Sequence, residues 1–507
     1  MYLILYILLL AAVFLHAPDE LLDPDAREFV LIIGIVGLWR YSWGFVHFVR
    51  ALIYKNLTFP RWRRYCNRLT RAARDGDVDP AELFPQAFIV ITAFRIRSET
   101  VAAVIRSAVA DARDYPRPVT IVASVVEMAD ERLIKALFHR LEPPAEVRLA
   151  VVRVGGSGKR NGLSTALRAI ARMRPPPDSA VMVMDGDAIL PPGTLGRTLP
   201  FLRIMPDVAG FTTDEDAVVD GGTLMSSWHR LRFAQRQVLM CSMGLSRRLL
   251  TMTGRMSVFR SQVALDPGFI DQIRHDAIDH WRLGRIRLLT GEDKSTWFWL
   301  LKKRMAMLYI PDVRIVTIEH PPGDTFVSAS TRLMMRWFGN MLRAGGRAID
   351  LGPRQVGLFT WWCLIDQRVS MWTPLIGPLA AACFSITVSP LFLYVFIAWI
   401  LFTRFVQTLM LLPFRDTISG LYPFLLYYNQ VYGALIKSYM LFRLDRQRWT
   451  RQQISSRIQG GGCFRSLART TGSAYIHALA MLALFAAVGF LTGLLTLPAS
   501  LQLSSIQ

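Results

Sequence analysis

The sequence predicts an α/β domain with a mostly parallel β-sheet, inserted between two groups of transmembrane α-helices. In the middle of the 507-residue chain, short apolar runs alternate with helix-like segments, which is typical of a β-α-β arrangement. Hydrophobic residues make up 52% of the chain and charged residues only 19%, which is too apolar for a purely soluble protein. Long apolar runs lie near both ends, whereas no run between about residues 88 and 349 is long enough to cross a membrane.

Residues 1–56 are predicted to form two transmembrane helices, at 1–15 and at about 29–54. The first run is short, but it lacks the basic start and the cleavage site of a secretory signal. The loop between the two runs is acidic, whereas the chain from Lys55 onwards is rich in arginine. Because basic flanks lie on the cytoplasmic side, the central domain, residues 57–350, is expected in the cytoplasm.

Five apolar runs of the central domain are predicted to be strands, and three segments between them helices. The strands are expected at 87–92, 119–124, 149–154, 181–184 and 208–211. The helices are expected at 98–111, 130–141 and 162–173. This Rossmann-like alternation of strands and helices predicts that ligands bind at the carboxyl ends of the strands. No Gly-x-Gly-x-x-Gly follows the first strand, so a nicotinamide or flavin cofactor is not expected.

An apolar run that ends in two carboxylates, Val181-Met-Val-Met-Asp-Gly-Asp-Ala188, is the first candidate site. Asp185 and Asp187 follow a predicted buried strand, where parallel sheets bind ligands. Two carboxylates at one point suit a divalent ion that also binds phosphates, since Mg²⁺ takes one or two protein carboxylates. Taken alone, such a triplet is more often a polar turn, and the motifs downstream decide between the two.

A glycine-rich segment, Gly155-Gly-Ser-Gly-Lys-Arg-Asn-Gly162, follows the third predicted strand and precedes a helix. Backbone N–H groups at a helix start, together with Lys159 and Arg160, suit a phosphate group. The spacing is not that of a P-loop, and a flexible turn is the alternative.

Gly291-Glu-Asp-Lys-Ser-Thr-Trp297 places Asp293 just before an apolar helix expected at 296–304. Aspartate is a favoured N-cap residue, so a purely structural role is one interpretation. The other is a general base fixed at the helix end and facing a metal-bound donor.

Two segments are predicted to be amphipathic helices at a membrane interface, one around Arg336 and Trp337 and one at 223–250. Basic residues recur on one side of the first helix: Arg332, Arg336, Arg343 and Arg347. Aromatic and apolar residues occupy its other side. Arg336 and Trp337 are therefore either lipid-surface residues or part of a catalytic site.

Residues 351–507 are predicted to contain further transmembrane helices and a basic cytoplasmic loop near 443–465. Their apolar runs lie at 357–363, 374–386, 391–412, 421–442 and 475–497. An even number of crossings must separate the central domain from the basic loop. Two crossings are expected, with the run at 421–442 partly interfacial or re-entrant. Four cations lie in or near apolar runs: Arg40, Arg368, Arg404 and Lys437. They either extend their charges to the interface or line a path for an anionic chain.

The formal net charge of +21 is compatible with anionic lipid, an acidic substrate or nucleic acid. Nucleic acid is the least expected partner, because the basic residues follow membrane edges and an amphipathic helix. The five cysteines are scattered without a Cys-x-x-Cys pair, which argues against a disulfide framework and against a zinc site.

The order of these motifs resembles that of the family-2, inverting, processive glycosyltransferases, the group of cellulose and hyaluronan synthases. More narrowly, the chain resembles the polymerase subunit of bacterial alginate synthases, from about residue 30 to 455. The segments that carry the closer resemblance are Leu38-Trp-Arg-Tyr-Ser42, Ser157-Gly-Lys-Arg160, Met182 to Asp187, Arg232-Phe-Ala-Gln-Arg236, Leu250 to Arg260, Glu319-His-Pro-Pro322, Asp366 to Trp372, Tyr427-Tyr-Asn-Gln430, Leu444-Asp-Arg-Gln447 and Trp449-Thr-Arg-Gln452.

The resemblance implies a GT-A glycosyltransferase domain between transmembrane helices, with Mg²⁺ or Mn²⁺ as cofactor. It implies that GDP-mannuronate is polymerised into β-1,4-linked polymannuronate, the alginate precursor, and that the growing chain is exported across the bacterial cell inner membrane. The partners it implies are membrane lipids, a cyclic-di-GMP-binding co-polymerase subunit and other alginate secretion proteins.

Residue by residue, the resemblance puts Asp185 and Asp187 on the donor phosphates and the metal ion. It makes Asp293 the base and Trp337 a stacking platform for the acceptor sugar, with Arg336 near the pyrophosphate. The donor-binding residues it implies are Lys159, Arg160, Glu319 and His320 and, in a loop that closes over the donor, Trp449, Thr450 and Arg451.

Two departures from the family pattern are evident. Leu333 stands where the family usually has the Gln of Gln-x-x-Arg-Trp. No clear Asp follows the second strand to hold the nucleotide base, although Glu127 or Asp130 could take its place. A guanine rather than a uracil donor would account for this second difference.

Two other functions stay open. One is another family-2 membrane glycosyltransferase, which makes a different exopolysaccharide or a lipid-linked sugar. The other is an inactive scaffold or export subunit. An inactive domain would be expected to lose metal-binding or basic carboxylates, whereas Asp185, Asp187 and Asp293 are all present.

Overall fold

A computed structural model describes residues 2–15, 35–155, 158–449, 454–455 and 463–496. The chain divides into two compact units. The first unit comprises Met1–Phe48, Ile365–Arg443 and Gln459–Gln507, and the second comprises Val49–Leu364 and Leu444–Ile458.

The N-terminal part of the described chain is helical. Its elements are α1 (Tyr2–Leu15), α2 (Ile35–Ile53), a π-helical turn (Tyr54–Thr58), α3 (Phe59–Asp75) and α4 (Pro80–Leu83). Helix α3 follows the π-helical turn directly, with Pro60 as its second residue, and the backbone of Thr58 before it is still helical, with φ at −72° and ψ at −57°. Gly76 ends α3 in the left-handed region, with φ at 87°.

Strands and helices alternate through the second unit. In chain order they are β1 (Ala87–Ala93), α5 (Ser98–Arg113), β2 (Val119–Val125), α6 (Met128–Arg140), β3 (Val147–Arg153), α7 (Lys159–Arg172), β4 (Ala180–Asp185), β5 (Ala188–Ile189), α8 (Thr194–Thr198), α9 (Pro200–Ile204), β6 (Val208–Val219), α10 (Thr223–Gly244), β7 (Met256–Arg260), α11 (Ser261–Ala264), α12 (Pro267–His275), β8 (Ala277–His280), β9 (Gly284–Arg287), α13 (Glu292–Lys302), β10 (Ala306–Glu319), α14 (Phe326–Asp350) and α15 (Pro353–Val356).

The main sheet has eight strands in the order β3-β2-β1-β4-β7-β6-β10-β5. Strands β3, β2, β1 and β4 are parallel neighbours, and β6 is parallel to β10. Strand β7 lies antiparallel between β4 and β6, and β5 is antiparallel to β10. The predicted α/β domain with a mostly parallel sheet is therefore confirmed.

The five predicted strands and three predicted helices are all present, but β6 is longer than the predicted 208–211. It continues through Thr212-Thr-Asp-Glu215, whose four side chains are almost fully buried. Asp214 accepts hydrogen bonds from Tyr309, at 3.0 Å, and from Arg314, at 2.9 Å. Burial of a charge is tolerated when it is paired and hydrogen-bonded, so this polar run forms an interior strand.

The C-terminal part is again mostly helical. Its elements are α16 (Leu358–Val369), α17 (Thr373–Thr387), α18 (Leu391–Leu409), α19 (Tyr422–Leu441), the short strands β11 (Arg448–Trp449) and β12 (Ile454–Ser455), and α20 (Cys463–Leu491). Among the described residues, three helical stretches are long and apolar enough to cross a membrane: Leu358–Thr387, Leu391–Leu409 and Leu467–Leu491. They indicate a membrane protein. The crossings expected at 1–15 and 29–54 stay predictions, and so does the expectation that 421–442 is partly interfacial or re-entrant.

Two of the cations in apolar segments have polar partners within the first unit. Arg40 pairs with Asp366, with 2.8 Å between Nη1 and Oδ1. Arg404 is 3% exposed and donates a hydrogen bond to the side chain of Gln430. Because Arg404 is buried, its side chain does not extend its charge to the membrane interface.

Candidate active site

A cleft in the second unit lies at the carboxyl ends of the parallel strands, where ligands were expected. Its volume is about 1210 Å³, open solvent included. Residues at or after the ends of five strands line it: Thr92 to Phe94 at β1, Val126 after β2, Val154 after β3, Asp185 to Asp187 at β4, and Thr317 and Glu319 of β10.

The two carboxylates of the first motif are held by a turn that only glycine fits. A Cβ on Gly186 would lie 2.6 Å from Cδ1 of Ile96 and 2.7 Å from the carbonyl oxygen of Thr92. The Gly186 N–H donates to that same carbonyl, at 3.1 Å. The turn thereby holds both Asp185 and Asp187 against the end of β1.

Lys159 is the first residue of α7 and forms ion pairs with both Asp185 and Glu292. Gly158, with φ at 103°, precedes the helix and lines the cleft beside it. Burial alone would lower the pKa of Lys159, but the two carboxylates outweigh it and raise that pKa. Lys159 therefore stays protonated at neutral pH.

Burial raises the pKa of Asp185 to about 6, and the neighbouring Asp187 and Glu292 act in the same direction. Lys159 opposes this rise. The cleft thus concentrates acidic groups that repel one another, which favours the entry of a cation.

Asp293 is the second residue of α13, not its N-cap. The N-cap is Gly291, in the left-handed region with φ at 79°. The interpretation of Asp293 as an ordinary capping residue is therefore wrong. Burial, followed by the charge of Glu292, raises the pKa of Asp293. A carboxylate with a raised pKa is a stronger base, which suits proton abstraction in the cleft.

Trp337 and Arg336 enter the cleft from α14. The ring of Trp337 stacks on Trp228, with 5.6 Å between centroids and 21° between planes. The Arg232 guanidinium lies 4.1 Å from the Trp337 centroid and 5.1 Å from that of Trp228. Arg232 and Trp228 together fix the orientation of the Trp337 ring, which is partly exposed in the cleft.

Glu319 lines the cleft and pairs with Arg255, with 2.6 Å between Oε1 and Nη2. Burial would raise the pKa of Glu319, but Arg255 outweighs it and lowers that pKa to about 2. Arg255 also pairs with the buried Glu215, at 3.2 Å. His320 lies beside Asp220, at 3.1 Å, and is not among the residues that line the cleft.

Arg160 also lies outside the cleft lining and is 5% exposed. Its guanidinium donates to the carbonyl oxygens of Ile273 and Thr290, both at 2.9 Å, and to Oγ of Ser295, at 3.0 Å. These bonds brace the start of α13. A contact between Arg160 and the nucleotide stays a prediction.

The predicted closing loop is described only in part. The backbone of Trp449 pairs with Ile454 in the short β11–β12 ladder. Thr450 and Arg451 lie outside the described residues. Just before the ladder, the side chain of Gln447 accepts from the Leu289 N–H and donates to the Arg287 carbonyl, both at 2.9 Å.

Much of the basic side of α14 is occupied by contacts within the protein. Arg343 is 3% exposed and donates to the Leu444 carbonyl, at 2.9 Å. Arg347 forms two hydrogen bonds to Asp276, at 2.6 and 3.0 Å. These two cations are therefore committed to protein partners, and a position of α14 at a lipid surface stays a prediction.

The donor set at Asp185 and Asp187 fits a divalent ion that shares its coordination with a substrate. Among the described residues, no three side chains of His, Cys, Asp and Glu form a metal-binding cluster. Two carboxylates without a third ligand suit Mg²⁺ bound partly by phosphate oxygens. A closed structural site would need more ligands from the protein.

Sequence reasoning missed several residues of the cleft. Glu292 is one of them, although a second carboxylate beside Asp293 at a helix start is visible in the sequence. Arg255 and Asn340 were not singled out, and both line the cleft. Arg255 belongs to the segment from Leu250 to Arg260 that carries the family resemblance, whereas no sequence signal marks Asn340.

A family model described as glycosyltransferase like family 2 matches residues 85–340. Two curated relatives are named glycosyltransferase alg8. The relative from Pseudomonas syringae pv. tomato is 45% identical over 447 residues, which is 88% of this chain and 89% of the relative. The relative from Azotobacter vinelandii is 44% identical over 449 residues, which is 89% of each chain.

Among solved structures, the mannosyltransferase PcManGT from Pyrobaculum calidifontis, in complex with GDP-Man and Mn²⁺, covers 77% of this chain and 98% of its own length. It is 18% identical, with a TM-score of 0.45. The family model covers the sheet and the cleft, and the relatives cover nearly all of the chain. The chain therefore belongs to the family-2 glycosyltransferases and, within them, to the Alg8 glycosyltransferases.

Proposed function

We propose that this glycosyltransferase is a processive, inverting polymerase that transfers mannuronate from GDP-mannuronate and exports β-1,4-linked polymannuronate across the bacterial inner membrane. The resemblance of the motifs to those of alginate polymerase subunits supports this substrate, and the Alg8 relatives support the glycosyltransferase family. The observation that carries the proposal is a single cleft containing Asp185, Asp187, Asp293 and Trp337, which come from three separate segments of the chain.

Donor binding is proposed to use the carboxylates at the end of β4 and the start of α7. Asp185 and Asp187 would hold Mg²⁺ or Mn²⁺. Such an ion would supply positive charge to the diphosphate as GDP leaves. Lys159, already between two carboxylates, supplies a further fixed cation beside the phosphates.

Transfer is proposed to be a single displacement. Asp293 removes the proton from the acceptor's 4-hydroxyl as that oxygen bonds to the anomeric carbon of the donor sugar. The bond from that carbon to the diphosphate oxygen breaks, and its electron pair leaves with GDP. Attack from the opposite face inverts the anomeric carbon, so an α-linked donor gives a β-linked product.

Acceptor positioning is proposed for Trp337, with Arg336 directed to the pyrophosphate. The aromatic ring stacks against the terminal sugar, and its orientation is fixed by Trp228 and Arg232. The loop with Thr450 and Arg451 is proposed to close over the donor, since Arg binds phosphate in a two-pronged way.

Incubation of membranes that contain the protein and its co-polymerase with labelled GDP-mannuronate and Mg²⁺ tests this function. We expect labelled polymer of high molecular weight. Asp185→Asn and Asp187→Asn should insert normally and make no polymer, and excess EDTA should stop synthesis.

Other outcomes of the same assay identify the alternatives. A short lipid-linked product would indicate a non-processive sugar transferase. No turnover by the wild-type protein with its partner present would indicate a scaffold or export subunit. Undiminished synthesis by both Asn variants, or in EDTA, would contradict the metal-binding role of these carboxylates.

A further inference from the structure

The segment immediately before the proposed base is held in place by side chains from distant parts of the chain. Leu289, Thr290 and Gly291 form one wall of the cleft, and Asp293 follows two residues later. The segment links β9 to α13 and has no strand partner among the described residues. Its position therefore depends on side-chain contacts.

Asn340 on α14 makes the contacts that tie this wall to the acceptor side of the cleft. Its Oδ1 accepts from Oγ1 of Thr290, at 2.9 Å, and from Nη2 of Arg343, at 2.6 Å. A Cβ on Gly291 would lie 2.9 Å from Cγ of Asn340, so the backbone and the amide are in close contact. Asn340 also lines the cleft.

Asn340 lies on the same side of α14 as Arg336 and Trp337, because residues three and four apart in a helix are neighbours. One helix thus carries both the proposed acceptor platform and the amide that holds the wall before Asp293. A shift of the wall relative to this helix would separate the base from the acceptor hydroxyl.

Gln447 holds the same wall from the chain segment that precedes the β11–β12 ladder. It is 5% exposed, and its amide bonds to the Leu289 N–H and the Arg287 carbonyl as a neighbouring strand would. Arg343 joins the two supports, since it donates to Oδ1 of Asn340 and to the carbonyl of Leu444. The wall is thereby fixed at consecutive residues.

We propose that Asn340 and Gln447 are positioning residues that set the distance between Asp293 and the acceptor bound at Trp337. This inference rests on the proposed function and assigns to that site two residues that act through the backbone segment before Asp293. Well-aligned reactants account for much of an enzyme's rate, and a displacement of about 1 Å costs roughly a hundredfold. A misaligned acceptor also leaves room for water to attack the donor.

The test uses membranes containing the protein and its co-polymerase, and measures GDP released and mannuronate incorporated in parallel. In the wild type the two amounts should be nearly equal. In Asn340→Leu and Gln447→Leu, incorporation should fall roughly tenfold or more while GDP release falls less, so that the ratio of GDP released to sugar incorporated rises. The KM for GDP-mannuronate should change less than kcat.

Asn340→Asp serves as the conservative variant, because it retains the oxygen that accepts from Thr290 and Arg343. It should restore a ratio near that of the wild type. Gln355→Leu is the matched control, since the Gln355 amide donates to the Lys302 carbonyl, at 2.6 Å, and accepts from Arg304, at 2.6 Å, at the far end of α13. It should leave the ratio unchanged.

The proposal is overturned if Asn340→Leu and Gln447→Leu keep a ratio near one, whether incorporation is normal or reduced. It is also overturned if Gln355→Leu raises the ratio equally, because the effect would then follow general loosening of α13. If the wild-type protein releases no GDP and incorporates no sugar, the proposed function itself fails, which is a separate result.

Discussion

At the scale of single residues, Gly186 determines where the two carboxylates of the cleft lie. Any side chain there would meet the Thr92 carbonyl oxygen and the Ile96 side chain at less than 3 Å. The backbone oxygen belongs to a central strand and cannot move far. We expect Gly186→Ala to displace Asp185 and Asp187 and to reduce transfer by about a hundredfold. Labelled sugar incorporation measures this loss.

Gly196→Ala is the matched control for that substitution. Gly196 lies within helix α8, and a methyl group on its Cα would have no other heavy atom within 4 Å beyond the helix's own backbone. Alanine should therefore be tolerated there. Wild-type transfer by Gly186→Ala would show that the turn accommodates a side chain and that its geometry is not critical.

The environment of Asp293 predicts the direction of a pH effect. Only the unprotonated carboxylate accepts a proton, so kcat/KM should fall as the pH drops through its pKa. Burial and Glu292 raise this pKa above the usual 3.8, so activity should be lost at a higher pH than for an exposed aspartate. In Glu292→Gln the like charge is gone, and the acid limb should move to lower pH.

A pH–rate profile of both proteins measures this shift. An acid limb that stays in place, or moves to higher pH, would contradict the electrostatic coupling between the two carboxylates. The motif alone identifies Asp293 as a candidate base. Its coupling to Glu292, and through Glu292 to Lys159, depends on the approach of α7 to α13, which no sequence pattern revealed.

At the scale of elements, helix α14 shows that basic residues along one side of a helix can bind buried groups of the same protein. Arg347 pairs in two-pronged fashion with Asp276, whose side chain is 1% exposed. Removal of the cation would leave a buried charge without its partner. We expect Arg347→Met to lower the free energy of unfolding by about 3 kcal/mol.

Thermal unfolding of the purified protein in detergent measures this change. Arg332→Met, at an exposed position of the same helix, is the control and should be nearly neutral. If both variants unfold like the wild type in detergent and are less stable only in membranes rich in anionic lipid, Arg347 contacts the lipid surface instead.

The strands show which elements a sequence reveals. Strands β1 and β2 are apolar runs buried on both faces, and such runs are recognisable. Strand β10 was missed because Pro311, Asp312 and Arg314 interrupt its apolar residues. The irregular register between Ile310 and Arg314 accommodates that interruption. Strand β7 was missed because five residues that insert antiparallel into a parallel sheet carry no helical or alternating signature.

At the scale of the whole molecule, the proposed co-polymerase subunit leads us to expect a particular behaviour of the isolated chain. The sequence shows no arginine-rich dinucleotide-binding motif that would allow it to respond to cyclic di-GMP by itself. We expect the purified polypeptide to bind no cyclic di-GMP and to have little activity until a responsive co-polymerase is added. Calorimetric titration and a reconstituted polymerase assay measure both properties.

Tight, specific binding of cyclic di-GMP to the purified chain would contradict the expectation that only the co-polymerase binds it. So would full activity without a partner. The family was predictable from the order of motifs between about residues 30 and 455, and the fold from the alternation of strands and helices in the central domain.

We propose that this cleft performs sugar transfer with Asp293 as its base. Asp293→Asn tests it most directly, because Asn keeps the size and polarity of the side chain but accepts no proton. Binding of GDP-mannuronate, measured by calorimetry, should be retained, while polymer formation falls by at least about a hundredfold. If Asp293→Asn binds the donor and still makes polymer at the wild-type rate, Asp293 is not the base.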